Sequence, residues 1–205
     1  MGRIEQRYDK VKLVPFAEQV PYQDKLWFLR ADVLKKVLTF IETYDVNWWS
    51  DFYPGDSAKL FQLPEYYCGL LLCFESTFPE YTRQYVLQGA EFLVGTTNDT
   101  WFGESVGIYM HSRIFLMRCI ENRIWGVRVA NSGLSYVVDG YGRIRSELPI
   151  GAVSAGVGQV GEFGGYSAYT RTGNIIGILS WLITLAVATI FFFRWLLSRL
   201  FLRKS

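Results

Sequence analysis

The chain has 205 residues, of which 50% are hydrophobic and 20% charged, and its formal net charge is +2. This composition excludes a disordered chain and suits one domain of ordinary size with an additional segment. The near-neutral charge argues against nucleic acid as a partner. Three cysteines without zinc-type spacing and a single histidine, His111, argue against a metal site. We therefore expect no metal and no cofactor.

The first 21 residues are predicted to form a strand end, a hairpin-like turn and a loop that two prolines keep out of regular structure. A related glycine-rich turn at 139–144 follows a predicted strand at 134–138. The N-terminal turn lacks such a strand before it. We therefore expect the chain to begin inside a hairpin, and so inside a domain.

Two segments with different patterns come next. Residues 25–44 carry apolar side chains at helical spacing, which predicts a packing helix. Residues 46–61 place aromatic side chains among Asn, Asp, Pro and Gly, which predicts a loop. That loop either packs on the domain or forms a flap that contacts lipid or covers a substrate, and the sequence favours neither.

Residues 66–80 hold the most suggestive pattern for chemistry. A leucine- and aromatic-rich run predicts a buried strand that ends at Cys73, with Glu75 two positions later. Ser76 or Thr77 is predicted to cap a helix whose first turn includes Pro79. A cysteine at a strand-to-helix turn, close to backbone amides, is favoured as a thiolate nucleophile.

The middle of the chain alternates between strand and helix patterns. The predicted elements are a helix at 79–88, a strand at 91–94, a polar and aromatic loop at 95–104, a helix at 109–125, strands at 127–131, 134–138 and 144–148, and a glycine-rich edge at 151–165. This order predicts an α/β domain with helices covering sheets. Within it, we expect Cys119 in the core and His111 as a structural hydrogen-bonding group rather than a catalytic base.

The tail contains a membrane-spanning pattern. Residues 175–193 carry no charge, and at about 1.5 Å per residue they cover roughly 28 Å. A buried core helix is the less favoured alternative, because core helices seldom lack polar residues for so long. Four basic residues follow the run, at 194, 199, 203 and 204, so the positive-inside rule places the C-terminus in the cytoplasm and the domain on the outer side.

An isolated cysteine after an apolar strand is weak support for catalysis, because free cysteines are commonly buried. Lys10 and Glu18 strengthen the hypothesis if they approach Cys73. An ammonium group near a thiol stabilises the thiolate, and a carboxylate within reach serves proton transfer.

Several motifs in order resemble the bacterial apolipoprotein N-acyltransferases, membrane enzymes with a nitrilase-like, carbon-nitrogen hydrolase domain. The matching segments are 8–10 with 13–21, 73–75 with 78–80, 98–103, 109–111, 121–123 and 130–133. The resemblance covers nearly the whole chain, including the final membrane helix. It implies an α-β-β-α sandwich outside the bacterial cytoplasmic membrane.

The resemblance also implies a reaction. An acyl chain would pass from a phospholipid donor to the enzyme cysteine as a thioester, and then to the N-terminal amine of S-diacylglyceryl-cysteine in an apolipoprotein. Cys73 would be the nucleophile, Lys10 would stabilise the thiolate and the oxyanion, and Glu18 would orient Lys10 or share proton transfer. Glu75 would be a supporting acid at the mouth of the site, unless it only caps a helix. Phe74 and Trp101 are the further supporting or substrate-binding candidates.

Two departures from the family pattern accompany this resemblance. Ala17 and Gln19 stand where the family has glycine and an aromatic residue. The family's general-base glutamate and its preceding membrane helices belong upstream of the lysine segment, and nothing in this sequence matches them. We therefore expect the C-terminal part of an enzyme, inactive by itself: 1–165 from the catalytic domain, 166–174 a linker, 175–193 the membrane helix and 194–205 a basic cytoplasmic tail.

Two other functions stay open at this point. A nitrilase-type amidase would use the same nucleophile on a small soluble amide, without need of a membrane helix or aromatic loops. An inactive, membrane-anchored remnant would explain the missing base, although it would not explain why Cys73, Lys10 and Glu18 are all present.

Overall fold

The computed structural model describes residues 6–22, 25–30, 32, 33, 36 and 52–202. Its principal elements are β1 (Leu60–Gln62), β2 (Tyr67–Leu72), α1 (Pro79–Leu87), β3 (Phe92–Thr97), α2 (Gly107–Asn122), β4 (Trp125–Ala130), β5 (Ser135–Val138), β6 (Ile144–Leu148), α3 (Ala168–Thr172) and α4 (Ile175–Leu202). Most of the predicted helix at 25–44, and the predicted loop from 46 to 51, lie outside the described residues. The alternation of strands and helices confirms the α/β class.

The six strands form one sheet in chain order. Strands β2, β3 and β4 are parallel to one another, whereas β1 pairs antiparallel with β2, and β4, β5 and β6 form an antiparallel meander. Helices α1 and α2 are the crossovers between the parallel strands, as parallel pairing requires. The carboxyl ends of β2, β3 and β4 therefore meet at one edge of the sheet.

Both crossover helices pack on the same face of the sheet, because glycines on that face leave room for them. A Cβ atom at Gly69 would lie 2.7 Å from the Tyr85 ring of α1, and one at Gly95 would lie 2.5 Å from the Phe115 ring of α2. Buried apolar side chains from the sheet and the two helices form the core here, including Leu71, Tyr85, Leu93, Phe115, Cys119 and Val138. The predicted core position of Cys119 is thus confirmed.

The opposite face of the sheet is covered less completely. The extended segment 151–165 crosses part of it, with Gly161 so close to Trp125 that a Cβ atom there would lie 2.6 Å from the indole. Over β2 and β3, Leu70 and Val94 are only half-buried, and Val129 of β4 is 51% exposed. The described residues thus supply one sheet of the predicted sandwich.

The segment predicted as a linker contains α3, which packs against the domain. Thr170 is fully buried; its hydroxyl donates to Asn122 Oδ1 of α2 at 3.0 Å, and its carbonyl accepts from Arg83 Nε of α1 at 2.9 Å. Helix α4 follows almost at once. Its span Ile175–Ser198 has a mean hydropathy of 2.4 and is long enough to cross a bilayer, which confirms one apolar C-terminal helix.

The predicted cap of α1 is wrong. The residue before the helix is Phe78, which makes no side-chain cap. Ser76 and Thr77 instead belong to a 3-10 helix, Cys73–Thr77, and their hydroxyls donate to the carbonyls of Cys73 and Phe74 at 2.9 and 2.7 Å. Bonding back to a carbonyl three residues earlier removes these side chains from the helix start.

Candidate active site

Cys73 follows β2 directly and begins the 3-10 helix. Its backbone φ is +51°, a left-handed conformation that costs a non-glycine residue about 1–2 kcal/mol. Such a conformation persists only where surrounding contacts hold it, and it is common at functional positions. The residue as a whole is half-buried.

The other two cysteines lie in different surroundings. Cys68 is buried in β2 and Cys119 is fully buried in α2. Burial raises the pKa of both thiols, since an apolar environment disfavours the thiolate. Among the three, Cys73 is therefore the least buried, and its role as the nucleophile stays a prediction.

The carbonyl of Cys73 points into the protein. It accepts from Ser76 Oγ at 2.9 Å, and His111 Nε2 lies 3.2 Å from it. The Cys73 carbonyl and the Phe74 N–H belong to the same trans peptide, in which the two groups point in opposite directions. The Phe74 N–H therefore faces away from His111. The first N–H groups of a helix lack intrahelical partners. We therefore expect the Phe74 N–H to be available as a donor on the side of the turn away from His111, where it could stabilise an oxyanion.

Glu75 joins this turn to the lysine segment. Its carboxylate is fully buried and accepts from the backbone N–H of Val11 at 2.7 Å, of Lys12 at 3.2 Å and of Leu72 at 2.8 Å. The Tyr8 hydroxyl lies 2.8 Å from both carboxylate oxygens. The expected position at the mouth of the site is wrong, because these donors take the side chain inside. The bond from the Leu72 N–H is the helix cap that the sequence left open as an alternative role for Glu75. It occurs together with the bonds from Val11, Lys12 and Tyr8.

Lys10 and Glu18 form the ion pair that the sequence suggested. Lys10 Nζ donates to both Glu18 oxygens, at 2.8 and 2.7 Å, while the Val14 N–H donates to the same carboxylate at 2.8 Å. The side chains are 14% and 22% exposed. Two backbone bonds from segment 52–55 hold the pair's main chain, Gly55 N–H to Lys10 O and Phe52 N–H to Glu18 O, both at 2.8 Å.

The two halves of the candidate site thus meet through Glu75. Val11 and Lys12 follow Lys10 directly, and the carboxylate that binds their amides lies two positions after Cys73. The structure brings the segment of Lys10 and Glu18 against the turn of Cys73 by these contacts.

Phe74 and Trp101 lie at the same edge of the sheet in different roles. Phe74 is half-buried and packs edge-on against Phe78, with ring centroids 5.2 Å apart. Trp101 belongs to the 3-10 helix Asp99–Phe102 after β3, and 63% of its surface is exposed. Phe74 therefore supports the turn, and Trp101 offers an aromatic surface to solvent or to a ligand.

Sequence reasoning missed a buried polar cluster beside Cys73. Asp99 Oδ1 lies 3.0 Å from His111 Nδ1, and Arg128 donates from Nη2 to Asp99 Oδ2 at 2.8 Å. Thr97 Oγ1 and the Asn131 side chain also bond Asp99. The sequence indicates His111 alone, because its partners come from the 3-10 helix after β3 and from β4, and the parallel register that joins those strands is not visible in the sequence.

A cleft of about 410 Å³ opens at this edge of the sheet. Ile108, Tyr109 and Ile150 give it apolar walls, and Thr100 and Ser132 add hydroxyls. Its size falls within the range of ordinary ligand sites. Within the described ranges, no group of three or more His, Cys, Asp or Glu side chains is arranged to hold a metal ion.

The Glu75 contacts predict a large effect of a small substitution. In Glu75→Gln, an amide NH₂ faces backbone N–H donors that need an acceptor, so we expect a loss of about 2–4 kcal/mol of stability. Thermal unfolding in detergent measures the loss, and hydrogen exchange at Val11 and Lys12 should become faster. Glu80→Gln is the matched control, because that carboxylate is exposed and its pair among the described residues is with Arg83, and it should cost less than about 1 kcal/mol. Equal effects of the two variants would contradict this assignment.

Asp99 should make the stability of the fold depend on pH. Burial alone would raise its pKa, but hydrogen bonds from His111 and Arg128 outweigh that effect and hold the pKa below its ordinary value of 3.8. A carboxyl with a lowered folded-state pKa stabilises the fold above its ordinary pKa, and this contribution is lost as the pH falls through the folded value.

We therefore expect Asp99→Asn to lose about 3–5 kcal/mol at pH 7, where buried Arg128 loses its counter-charge. The same variant should lose less additional stability than the wild type between about pH 4 and pH 2. Unfolding temperatures measured across that pH range test both points. Asp9→Asn, which removes an exposed ion pair with Arg7, should leave the dependence of the unfolding temperature on pH unchanged. Wild-type stability in Asp99→Asn at pH 7 would refute the prediction.

Most of the chain matches one family of known proteins. Residues 1–190 match the family model described as carbon-nitrogen hydrolase. A protein from Geobacter metallireducens called apolipoprotein N-acyltransferase is 38% identical over 85% of this chain and 31% of its own length. One from Thermotoga maritima with the same name is 34% identical over 94% of this chain and 35% of its own. The chain spans about a third of the length of these relatives.

Among solved structures, an amidase from Nesterenkonia sp. is similar with a TM-score of 0.47, at 19% identity over 67% of this chain and 52% of that one. A carbon-nitrogen hydrolase from Helicobacter pylori gives a TM-score of 0.44 at 20% identity over 47% of this chain and 41% of that one. The family match extends over the strands, both crossover helices and the Cys73 turn. The chain therefore belongs to the carbon-nitrogen hydrolase family.

Proposed function

We propose that this chain is the C-terminal part of a phospholipid-dependent apolipoprotein N-acyltransferase. The observation that carries the proposal is the extent of similarity to relatives of that name. It reaches 94% of the chain in one case, a length that takes in both the Cys73 turn and most of the apolar helix α4. An acyltransferase that draws its donor from a bilayer has a use for such a helix.

The proposed reaction has two steps with Cys73 as the acyl carrier. In the first, its thiolate attacks the ester carbonyl of a phospholipid, the C–O bond breaks, and the lysophospholipid leaves with the proton that the thiol gave up. In the second, the N-terminal amine of S-diacylglyceryl-cysteine attacks the thioester. A C–N bond forms, the C–S bond breaks, and a proton from the amine restores the thiol.

The geometry supplies supporting groups for both steps. The ammonium group of Lys10 stabilises the thiolate and the oxyanion, and the bidentate bond to Glu18 orients that group. The Phe74 N–H is the second donor to the oxyanion. Glu75 acts on the reaction only by holding the two segments together. The cleft lined by Ile108 and Ile150 does not include Cys73 among its lining residues, so it supports the proposal only as a surface for the acyl chain away from the reacting carbon.

We further propose that a glutamate upstream of Met1 provides the general base. Nothing in the sequence matches the family's glutamate. The described residues leave Leu70 and Val94 half-buried on the face of the sheet over β2 and β3, and this supports the packing of further chain against that face. Residues 1–205 alone should therefore show no turnover, because removal of a catalytic base costs orders of magnitude in rate.

The proposed location is the bacterial cytoplasmic membrane, with the domain on its outer side. Helix α4 would span the bilayer, and Arg194 with the basic residues after it would remain in the cytoplasm by the positive-inside rule. This orientation places Cys73 on the side where lipoproteins mature.

The test uses membranes that contain the protein with all of the chain encoded before Met1. A phospholipid with a labelled acyl chain is added, and the thioester on Cys73 and the acylated lipoprotein are measured by mass spectrometry. Cys73→Ala should abolish both products, by at least about 10³-fold. Cys68→Ala is the matched control, since that thiol is buried in β2, and it should retain activity.

Other results would point to the alternatives. Lipoprotein acylation that survives Cys73→Ala would refute the nucleophile assignment. Turnover of a small amide without a long-chain thioester would identify an amidase. A protein that forms no thioester and hydrolyses no amide would be the inactive remnant. Robust activity of residues 1–205 alone would refute the proposed upstream base.

A further inference from the structure

The cluster of Asp99, His111 and Arg128 does more than fill the interior. His111 is 6% exposed, Arg128 is 2% exposed and Asp99 is fully buried, yet all three carry strongly polar groups. Burial of such groups is costly unless each finds partners. Here the Asp99 carboxylate offsets the charge of Arg128 at 2.8 Å, and Arg128 also donates to the Leu134 carbonyl.

One member of this cluster reaches the nucleophile's own peptide. His111 Nδ1 lies 3.0 Å from Asp99 Oδ1, and its Nε2 lies 3.2 Å from the Cys73 carbonyl. A carbonyl oxygen and a carboxylate oxygen only accept, so the two contacts form together when both ring nitrogens carry a hydrogen. Ser76 Oγ lies 3.3 Å from the same Nε2 and shares this contact. Asp99 is fixed in turn by Arg128 from the neighbouring strand. The Cys73 peptide is thereby tied to α2, to β4 and to the 3-10 helix that follows β3.

The backbone of Cys73 requires such support. Its φ of +51° is sparsely populated for a residue with a side chain, and the strain persists only under contacts from the surroundings. Ser76 Oγ supplies one contact, but from within the same short 3-10 helix. His111 supplies the contact that comes from outside the turn.

We propose that His111 is a positioning residue: it holds the Cys73 carbonyl inward and so aims the Phe74 N–H at the carbonyl oxygen of the bound acyl group. This inference rests on the proposed use of Cys73 as an acyl carrier. His111 exchanges no proton with the substrate. Its effect is confined to reactions that develop an oxyanion, and a reaction that attacks a saturated carbon should be little affected.

Two reactions of the protein with all of the chain encoded before Met1, in detergent, separate these cases. p-Nitrophenyl butyrate acylates Cys73 through an oxyanion: the S–C bond forms, p-nitrophenolate leaves with its electron pair, and the thiol proton passes to solvent. Iodoacetamide alkylates the same sulfur by displacing iodide, with no oxyanion. Both rates are read by mass spectrometry of the peptide that contains Cys73. Neither reaction uses a phospholipid or a lipoprotein, so failure of the proposed function leaves this test intact.

We expect His111→Ala to slow acylation by about 100-fold while alkylation changes by less than about 3-fold. His111→Gln keeps a donor near the position of Nε2 and should recover at least about 10-fold of the lost acylation rate. Ser112→Ala is the matched control, because Ser112 is buried on the same helix and bonds Tyr136 rather than Cys73. It should keep both rates.

The ratio of the acylation rate to the alkylation rate of Cys73 tests the role of His111. Equal slowing of acylation and alkylation, or no slowing of either, would overturn the proposal. If His111→Ala fails to fold, His111→Gln still tests the proposal. The reference is then the double variant Ser112→Ala with Phe74→Pro, which lacks the Phe74 N–H. A Gln variant that folds but acylates Cys73 no faster than this reference would contradict the role. Absence of any acylation in the wild type would overturn it as well.

Discussion

The Glu75 carboxylate accepts hydrogen bonds from three backbone amides and lies against the Tyr8 hydroxyl, and it is fully buried while doing so. A buried carboxylate is tolerated only where its lone pairs are satisfied. Those donors come from two segments more than 60 positions apart in the chain. The carboxylate can be satisfied only when the lysine segment lies against the Cys73 turn, so the arrangement of the candidate site depends on it.

The second constraint is the close seating of α2 on the sheet. Gly95 of β3 and Gly126 of β4 leave no side chain between the strands and Phe115, so the helix approaches closely enough for His111 to reach the Cys73 carbonyl. The strained backbone of Cys73 then has support from outside its own turn. Packing in the core and geometry at the nucleophile are in this way linked through one helix.

Much of the fold was predictable because its patterns are local. The apolar run before Cys73, the helices predicted at 79–88 and 109–125 and the final apolar helix each have a periodicity or length that the sequence displays. The second of these helices is observed at Gly107–Asn122, because Trp125 already belongs to β4. The partners of Glu75 and His111 were not predictable, because they depend on which strands lie side by side. The cap assigned to Ser76 or Thr77 failed for a related reason: those hydroxyls bond carbonyls of a 3-10 turn that no pattern announced.

Cross-linking tests whether Lys10 and Cys73 belong to one site. A short reagent that joins an amine to a thiol, such as difluorodinitrobenzene, is applied to the folded chain, and the linked peptides are identified by mass spectrometry. We expect Cys73 to be joined mainly to Lys10, and Glu75→Gln to weaken this link. Linkage of Cys73 to Lys59 or Lys12 with none to Lys10 would contradict this expectation.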